Sequence, residues 1–122
     1  MKDKSKNPIV FKSQDFAVRI AKLYRYLAEN KKEYVMSKQL LKSGTSIGAN
    51  VFEAVEGQSR ADFRSKMNIA LKEANETLYW IVILRKSEYL TEIEYNSLYP
   101  EAEELKRILV SIVKSTGENN SE

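Results

Sequence analysis

The sequence has no cysteine and no histidine, and it contains only four glycines and two prolines. Without cysteine there are no disulfides, which fits the expected cytoplasmic location. The absence of both cysteine and histidine excludes Ser-His and Cys-His nucleophiles, Cys or His zinc sites, and di-iron bundles with Glu-x-x-His motifs. Carboxylate or lysine chemistry remains, but no convincing pair stands out. The sequence therefore predicts no enzyme, no catalytic residue, no metal and no cofactor.

Long apolar runs are also missing. The longest, Leu78 to Leu84, is far too short to span a bilayer, and the charged start lacks the apolar core of a secretory signal. No membrane association is expected.

The scarcity of glycine and proline favours long helices, and 122 residues suffice for one domain with a core. Apolar residues recur at three- and four-residue steps, and there is neither a strand pattern nor an internal repeat. The prediction is an all-α, up-and-down antiparallel four-helix bundle. Its helices are expected at about 13–31, 37–56, 60–89 and 91–115, making a bundle over 9–115 between disordered residues 1–8 and a disordered tail, 116–122.

Several residues are expected to start, end or bend these helices. They are Ser13 and Ser37 as N-caps, Gly57 as a left-handed terminator, Ser59 with Asp62 and Thr91 with Glu94 as capping boxes, and Pro100 as a kink or brief break. Ile93 is assigned to the buried stripe of the last helix.

The predicted second helix has an unusual composition. Its apolar stripe includes Gly44, and a second face is polar, small and almost uncharged; both Gly44 and Gly48 suggest close helix approach. That second face comprises Gln39, Ser43, Ser46, Asn50, Glu53 and Gly57, and the predicted polar seam is Gln39, Ser46, Asn50 and Glu53. Such a face suits a hydrogen-bonded seam with a neighbouring helix, a seam between subunits, or a ligand site, in that order of preference.

The charge is uneven, although the net value is only +3. Residues 1–31 carry eight Lys and Arg against three acidic residues, whereas residues 91–122 carry three against seven. A basic front half suits a polyanionic partner, although an ordinary solvated face explains it equally well in a monomer. The residues predicted to bind nucleic acid are Arg19, Lys22, Arg25, Arg60, Arg64 and Lys66.

The third helix is apolar on every side from Leu78 to Leu84. One helix of a small bundle cannot bury its whole circumference against its own chain. Tyr79, Trp80 and Ile83 are therefore predicted to form an oligomer interface.

The central stretch resembles a bacterial family, the four-helix-bundle or 23S rRNA intervening-sequence proteins. The resemblance rests on Gln39, residues 46–51, Glu53, Gly57, Ser59 and residues 62–63, and extends as a pattern from about Ile9 to Lys114. It implies a four-helix bundle that assembles into a ring-like pentamer. Some members are encoded inside insertions in 23S rRNA genes. The accessory variability proteins of diversity-generating retroelements, a related branch, bind a reverse transcriptase and nucleic acid. Pro100 and the modest charge depart from these patterns.

The hypothesis is a non-enzymatic homopentamer that binds structured RNA, DNA or a ribonucleoprotein partner, mainly through phosphates and with little sequence preference. The alternative is a protein-interaction scaffold without a direct nucleic-acid role. An enzyme or small-ligand bundle using Glu53 is the third and least favoured hypothesis.

Overall fold

The computed structural model describes the backbone of residues 6–120 and the side chains of residues 6–117. The helices in this range are α1 (Pro8–Lys31), α2 (Met36–Val55), α3 (Arg60–Lys86) and α4 (Glu92–Asn120). This part of the chain contains no strand, and the predicted all-α, four-helix architecture is confirmed. None of the helices described is both long and apolar enough to cross a bilayer.

Consecutive helices pack side by side, and α1 also contacts α4, so that α1 and α3 lie diagonally across the bundle. One core runs along the axis. Its largest fully buried side chains come from all four helices and the last connection: Ile9, Phe16, Ile20, Leu27, Leu40, Ile47, Met67, Ile81, Leu84, Leu90, Leu98 and Leu105. Burial of such side chains is the main stabilising term of the fold.

The first helix begins five residues earlier than predicted. Asn7, not Ser13, is its N-cap: the Asn7 side chain accepts a hydrogen bond from the Ile9 amide at 3.2 Å. Pro8 occupies the first turn, where its missing N–H costs nothing. Ser13 lies inside the helix, buried, and donates to the Val10 carbonyl at 3.1 Å. The predicted disordered start reached residue 8; residues 1–5 lie outside the described range.

The connection between α1 and α2 is built on Glu33, which is 5% exposed. Its carboxylate accepts from the amides of Val35 (3.0 Å), Met36 (2.6 Å) and Ser37 (3.1 Å). The predicted N-cap, Ser37, instead donates its hydroxyl to the Glu33 carbonyl at 2.8 Å. The Glu33 amide also donates to the Leu27 carbonyl at 3.1 Å, so this residue caps the end of α1 and the start of α2.

The two glycines within α2 mark its closest contacts with α1. A Cβ atom at Gly48 would lie 3.1 Å from the Ser13 carbonyl oxygen, and one at Gly44 would lie 3.0 Å from the Ile20 side chain. These positions confirm the close approach predicted from the sequence: to the backbone of α1 at Gly48 and to a buried side chain at Gly44.

The turn from α2 to α3 uses one predicted cap and not the other. Ser59 accepts from the Asp62 amide at 3.0 Å, as predicted. Gly57 does not adopt the left-handed conformation: its φ is not positive, and the same holds for every other glycine of the described chain. Its amide donates to the Ala54 carbonyl at 3.1 Å, which continues the last turn of α2 without a reversal.

The third helix ends at Lys86, three residues before the predicted end, because the chain turns at Glu88. That residue has a φ of 69°, and the amides of Tyr89 and Leu90 both donate to the Leu84 carbonyl. This turn buries Leu90 under the end of the bundle. Such a helix end commonly uses glycine; here a glutamate takes the left-handed position.

The last helix begins with the predicted capping box. The Thr91 hydroxyl accepts from the Glu94 amide at 3.1 Å, and the Glu94 carboxylate accepts from the Thr91 amide at 2.8 Å. The helix continues through Pro100 without the predicted break and extends to Asn120 instead of ending near 115. The predicted disordered tail is thus helical over 116–120, and residues 121–122 lie outside the described range.

One assignment to the core of α4 is wrong. Ile93 is 83% exposed, whereas Leu98 is buried. Five residues correspond to about 140° around an α-helix, so the two side chains cannot share one face.

Candidate functional site

The six basic residues predicted to bind nucleic acid divide between two helices. Arg19, Lys22 and Arg25 lie on α1, and Arg60, Arg64 and Lys66 lie on α3. Because α1 and α3 are diagonal, the structure does not bring these six residues together on one face of a single chain.

Arg19 is used inside the bundle. Its guanidinium forms an ion pair with Glu101 of α4 and donates to the carbonyl (3.3 Å) and the hydroxyl (2.8 Å) of Ser97. Lys12 forms a second link between the same helices, 2.8 Å from Glu104. These contacts connect the first and last helices and leave Arg19 with few donors for an external anion.

Lys66 is also paired, and its partner belongs to the predicted polar seam. Its ammonium lies 2.9 Å from the Glu53 carboxylate across the α2–α3 contact. The hydrogen bond to Glu53 and the negative charge of that carboxylate raise the pKa of Lys66. This pair links α2 to α3 at the surface.

The other two residues of α3 that were predicted to bind nucleic acid lie near the start of that helix, where α4 ends. Arg60 and Arg64 are both exposed. The Arg64 guanidinium packs beside the backbone of Gly117: a Cβ atom at Gly117 would lie 3.1 Å from it. Arg64 therefore lies against α4 at Gly117, and Arg60, the first residue of its helix, has no ion pair with any residue that the structure describes.

Lys22 and Arg25, by contrast, are exposed, and neither has an ion pair with any described residue. They begin a series of such cations along the second half of α1 and around the connection into α2. We use the name basic surface for Lys22, Arg25, Lys31, Lys32 and Lys38, which share exposure and the lack of an ion pair among the described residues but not one helix face. Only the first two were predicted from the sequence.

The polar face of α2 resolves into separate local contacts. Two of its residues bond to α3: the buried Ser43 accepts from the Thr77 hydroxyl at 3.0 Å, and Glu53 pairs with Lys66 as described above. Ser46 donates to the Lys42 carbonyl (2.6 Å), and the Asn50 amide donates to the Ser46 carbonyl (2.8 Å). Gln39 is exposed. The polar face is therefore divided between bonds to α3, made by Ser43 and Glu53, and bonds within α2, made by Ser46 and Asn50.

The half-buried Glu73 of α3 is linked electrostatically to Lys42 of α2. Burial and then the neighbouring Glu76 raise its pKa, while Lys42 and Lys72 oppose the shift. On α4, burial, Tyr95 and Glu103 raise the pKa of Tyr99. In the described part of the chain, no group of three or more acidic residues could hold a metal ion.

The three residues predicted to form an oligomer interface differ in exposure. Tyr79 is 56% exposed. Its ring makes an edge-to-face contact with Trp80, with the centroids 5.0 Å apart. Trp80 is half-buried against the core and donates to the Glu76 carboxylate at 3.3 Å, and Ile83 is half-buried as well. The unpaired apolar surface therefore centres on Tyr79.

Comparisons with known proteins place this bundle among relatives. Its structure is similar to the crystal structure of a protein of unknown function from the S23 ribosomal protein family of Bacteroides thetaiotaomicron. The sequences are 55% identical, the TM-score is 0.85, and the match covers 87% of this chain and 98% of the other. A search of curated proteins gave no match. The profile of the 23S rRNA-intervening sequence proteins matches residues 5–111, and the resemblance noted from the central stretch is thereby confirmed. The chain belongs to the 23S rRNA-intervening sequence protein family.

Proposed function

We propose that this chain is a non-enzymatic, homo-oligomeric bundle that binds structured RNA, free or in a ribonucleoprotein, through phosphate contacts. The basic surface carries the proposal, because its five cations are exposed and not neutralised by described carboxylates. Cations in that state release counterions from a nucleic acid on binding, whereas a paired residue such as Arg19 must first give up its partner. The family description and the name of the Bacteroides relative both refer to ribosomal material, which supports RNA over DNA.

The proposed assembly is a ring, with five subunits as the resemblance implies. A ring needs two different complementary faces on each subunit. Tyr79 is an exposed apolar side chain on α3, and Val18 of α1 and Phe52 of α2 are exposed apolar side chains on two other helices. Repetition of the basic surface around such a ring multiplies the charge that one RNA molecule meets.

We expect Tyr79→Glu to dissociate the assembly into folded monomers, because a carboxylate buried at an apolar contact without a partner is strongly unfavourable. Sedimentation velocity at several protein concentrations measures the change, and circular dichroism verifies the fold. Ile93→Glu is the matched control, since Ile93 is exposed in the first turn of α4, and it should leave the mass unchanged. An unchanged mass for Tyr79→Glu would place the interface elsewhere.

Replacing Lys22 and Arg25 together by glutamine is expected to weaken binding to structured RNA about tenfold or more at roughly 0.1 M salt. The slope of log affinity against log salt should become shallower by about two, one for each lost phosphate contact. Fluorescence anisotropy with a labelled hairpin over a salt series gives both quantities.

The control is Lys106→Gln with Lys114→Gln, which removes the same charge from the acidic helix α4. If the phosphates contact Lys22 and Arg25 directly, this control should lose little RNA affinity. Equal losses of affinity for the two double variants would show that only the net charge of the protein matters. Absence of RNA binding by the native protein at low salt would overturn the proposal and favour a protein-interaction scaffold.

A further inference from the structure

The connection between α1 and α2 exposes apolar side chains that the bundle could have covered. Tyr34 is 54% exposed and Val35 is 74% exposed. Neither side chain is needed to cap a helix, because the Glu33 carboxylate and the Val35, Met36 and Ser37 amides provide the cap. The exposure of Tyr34 therefore has no explanation in the packing of the chain.

The backbone that carries Tyr34 is fixed on both sides. Lys32 occupies the left-handed region with a φ of 56°, and the Lys32 and Glu33 amides both donate to the Leu27 carbonyl. Beyond Tyr34, the Glu33 carboxylate holds the first three amides that follow. A ring on such a backbone loses little backbone entropy when it binds a partner.

The charged residues next to Tyr34 in the chain are mostly basic. Lys31, Lys32 and Lys38, all members of the basic surface, lie within four residues of it and are exposed. The one acidic residue of this segment, Glu33, is buried and turned onto backbone amides. A partner that fits here carries negative charge and a flat apolar group together, which describes the phosphate and the base of an unpaired nucleotide.

We propose that Tyr34 is a stacking platform for an unpaired base of the bound RNA. This inference rests on the function proposed above and adds that the RNA presents single-stranded nucleotides next to a duplex. Phosphates of the duplex lie along Lys22 and Arg25, and the first unpaired base stacks on the Tyr34 ring, flanked by Lys31 and Lys38.

The test compares two RNAs, a blunt hairpin and the same hairpin with a short unpaired 3′ extension that carries 2-aminopurine. Native protein is expected to bind the extended hairpin more tightly and to quench the 2-aminopurine fluorescence, as stacking does. Tyr34→Ala should lose about fivefold or more in affinity for the extended hairpin, abolish the quenching, and leave the blunt hairpin unaffected. Tyr34→Phe retains a ring and should behave as the native protein does.

Ile93→Ala is the matched control at the same end of the bundle, since Ile93 is exposed between Glu92 and Glu94 and should have no effect on either RNA. The stacking platform is overturned if Tyr34→Ala changes neither RNA or weakens both equally. In those cases salt-dependent binding of the blunt hairpin would leave the proposed function standing. Failure of the native protein to bind either RNA would overturn both the stacking platform and the proposed function.

Discussion

Replacing Glu33 by alanine is expected to lower the free energy of unfolding by about 3 kcal/mol. The change removes the acceptor for three amides at the start of α2, at distances of 2.6–3.1 Å. Hydrogen bonds to a charged acceptor are the strong ones, and the carboxylate also lies at the positive end of the α2 dipole. The Ser37 amide has no other acceptor in the buried turn and would lose its partner.

Denaturant unfolding followed by circular dichroism measures this loss, at one fixed protein concentration because assembly is coupled to stability. Glu29→Ala is the matched control: Glu29 is an exposed glutamate four residues earlier, and its replacement should cost less than about 0.5 kcal/mol. Glu33→Gln keeps one acceptor oxygen and should fall between them. A loss for Glu33→Ala no larger than the control's would contradict the capping role.

Replacing Gly48 by valine is expected to destabilise the protein by about 3 kcal/mol. A Cβ atom alone would lie 3.1 Å from the Ser13 carbonyl oxygen and 3.4 Å from its carbon, and these are backbone atoms that move only if α1 moves. Valine adds two methyl groups to that contact. The helices must separate, so the buried side chains near Gly48 lose contacts as well.

The neighbouring residue supplies the control for this variant. Ala49 is exposed on the same helix, and Ala49→Val should cost only the difference in helix propensity, about 0.5 kcal/mol. Thermal or denaturant unfolding separates the two predictions. Equal effects of Gly48→Val and Ala49→Val would mean that no close helix contact exists at Gly48. A smaller effect is expected for Gly48→Ala, because the gain in helix propensity offsets part of the strain.

Much of the fold could be predicted because local signals agreed with one another. The apolar periodicity gave four helices, and the Thr91–Glu94 box starts α4 as predicted. The cap of α2 could not be predicted in this way. Glutamate is not a usual N-cap, and its role depends on a turn that buries it, which is a tertiary arrangement. The left-handed positions fell at Lys32 and Glu88 instead of at a glycine for the same reason.

The candidate site was harder to predict because the sequence shows which side chains are charged but not which of them are already paired within the fold. Arg19 and Lys22 are equivalent candidates when only the sequence is considered, yet Arg19 is paired with Glu101 while Lys22 is exposed without such a partner among the described residues. In the opposite direction, residues 32–57 appeared neutral because Glu33 cancelled a lysine in the count. The Glu33 carboxylate is buried against amides and pairs with none of the described lysines, and the sequence carries no sign of that burial.

The order of contacts in the bundle has a consequence for how the chain folds. Helices α1 and α2, α2 and α3, and α3 and α4 are each joined by a short turn, and these pairs make the most extensive contacts. The pair α1 and α4 is distant in sequence and makes much less contact than these three pairs, supported at the surface by Lys12–Glu104 and Arg19–Glu101. Three local hairpins can therefore form before the only long loop closes, a topology of low contact order that folds rapidly. The packing of α1 against α4 therefore contributes little to the folding rate. Salt weakens the two ion pairs that join these helices.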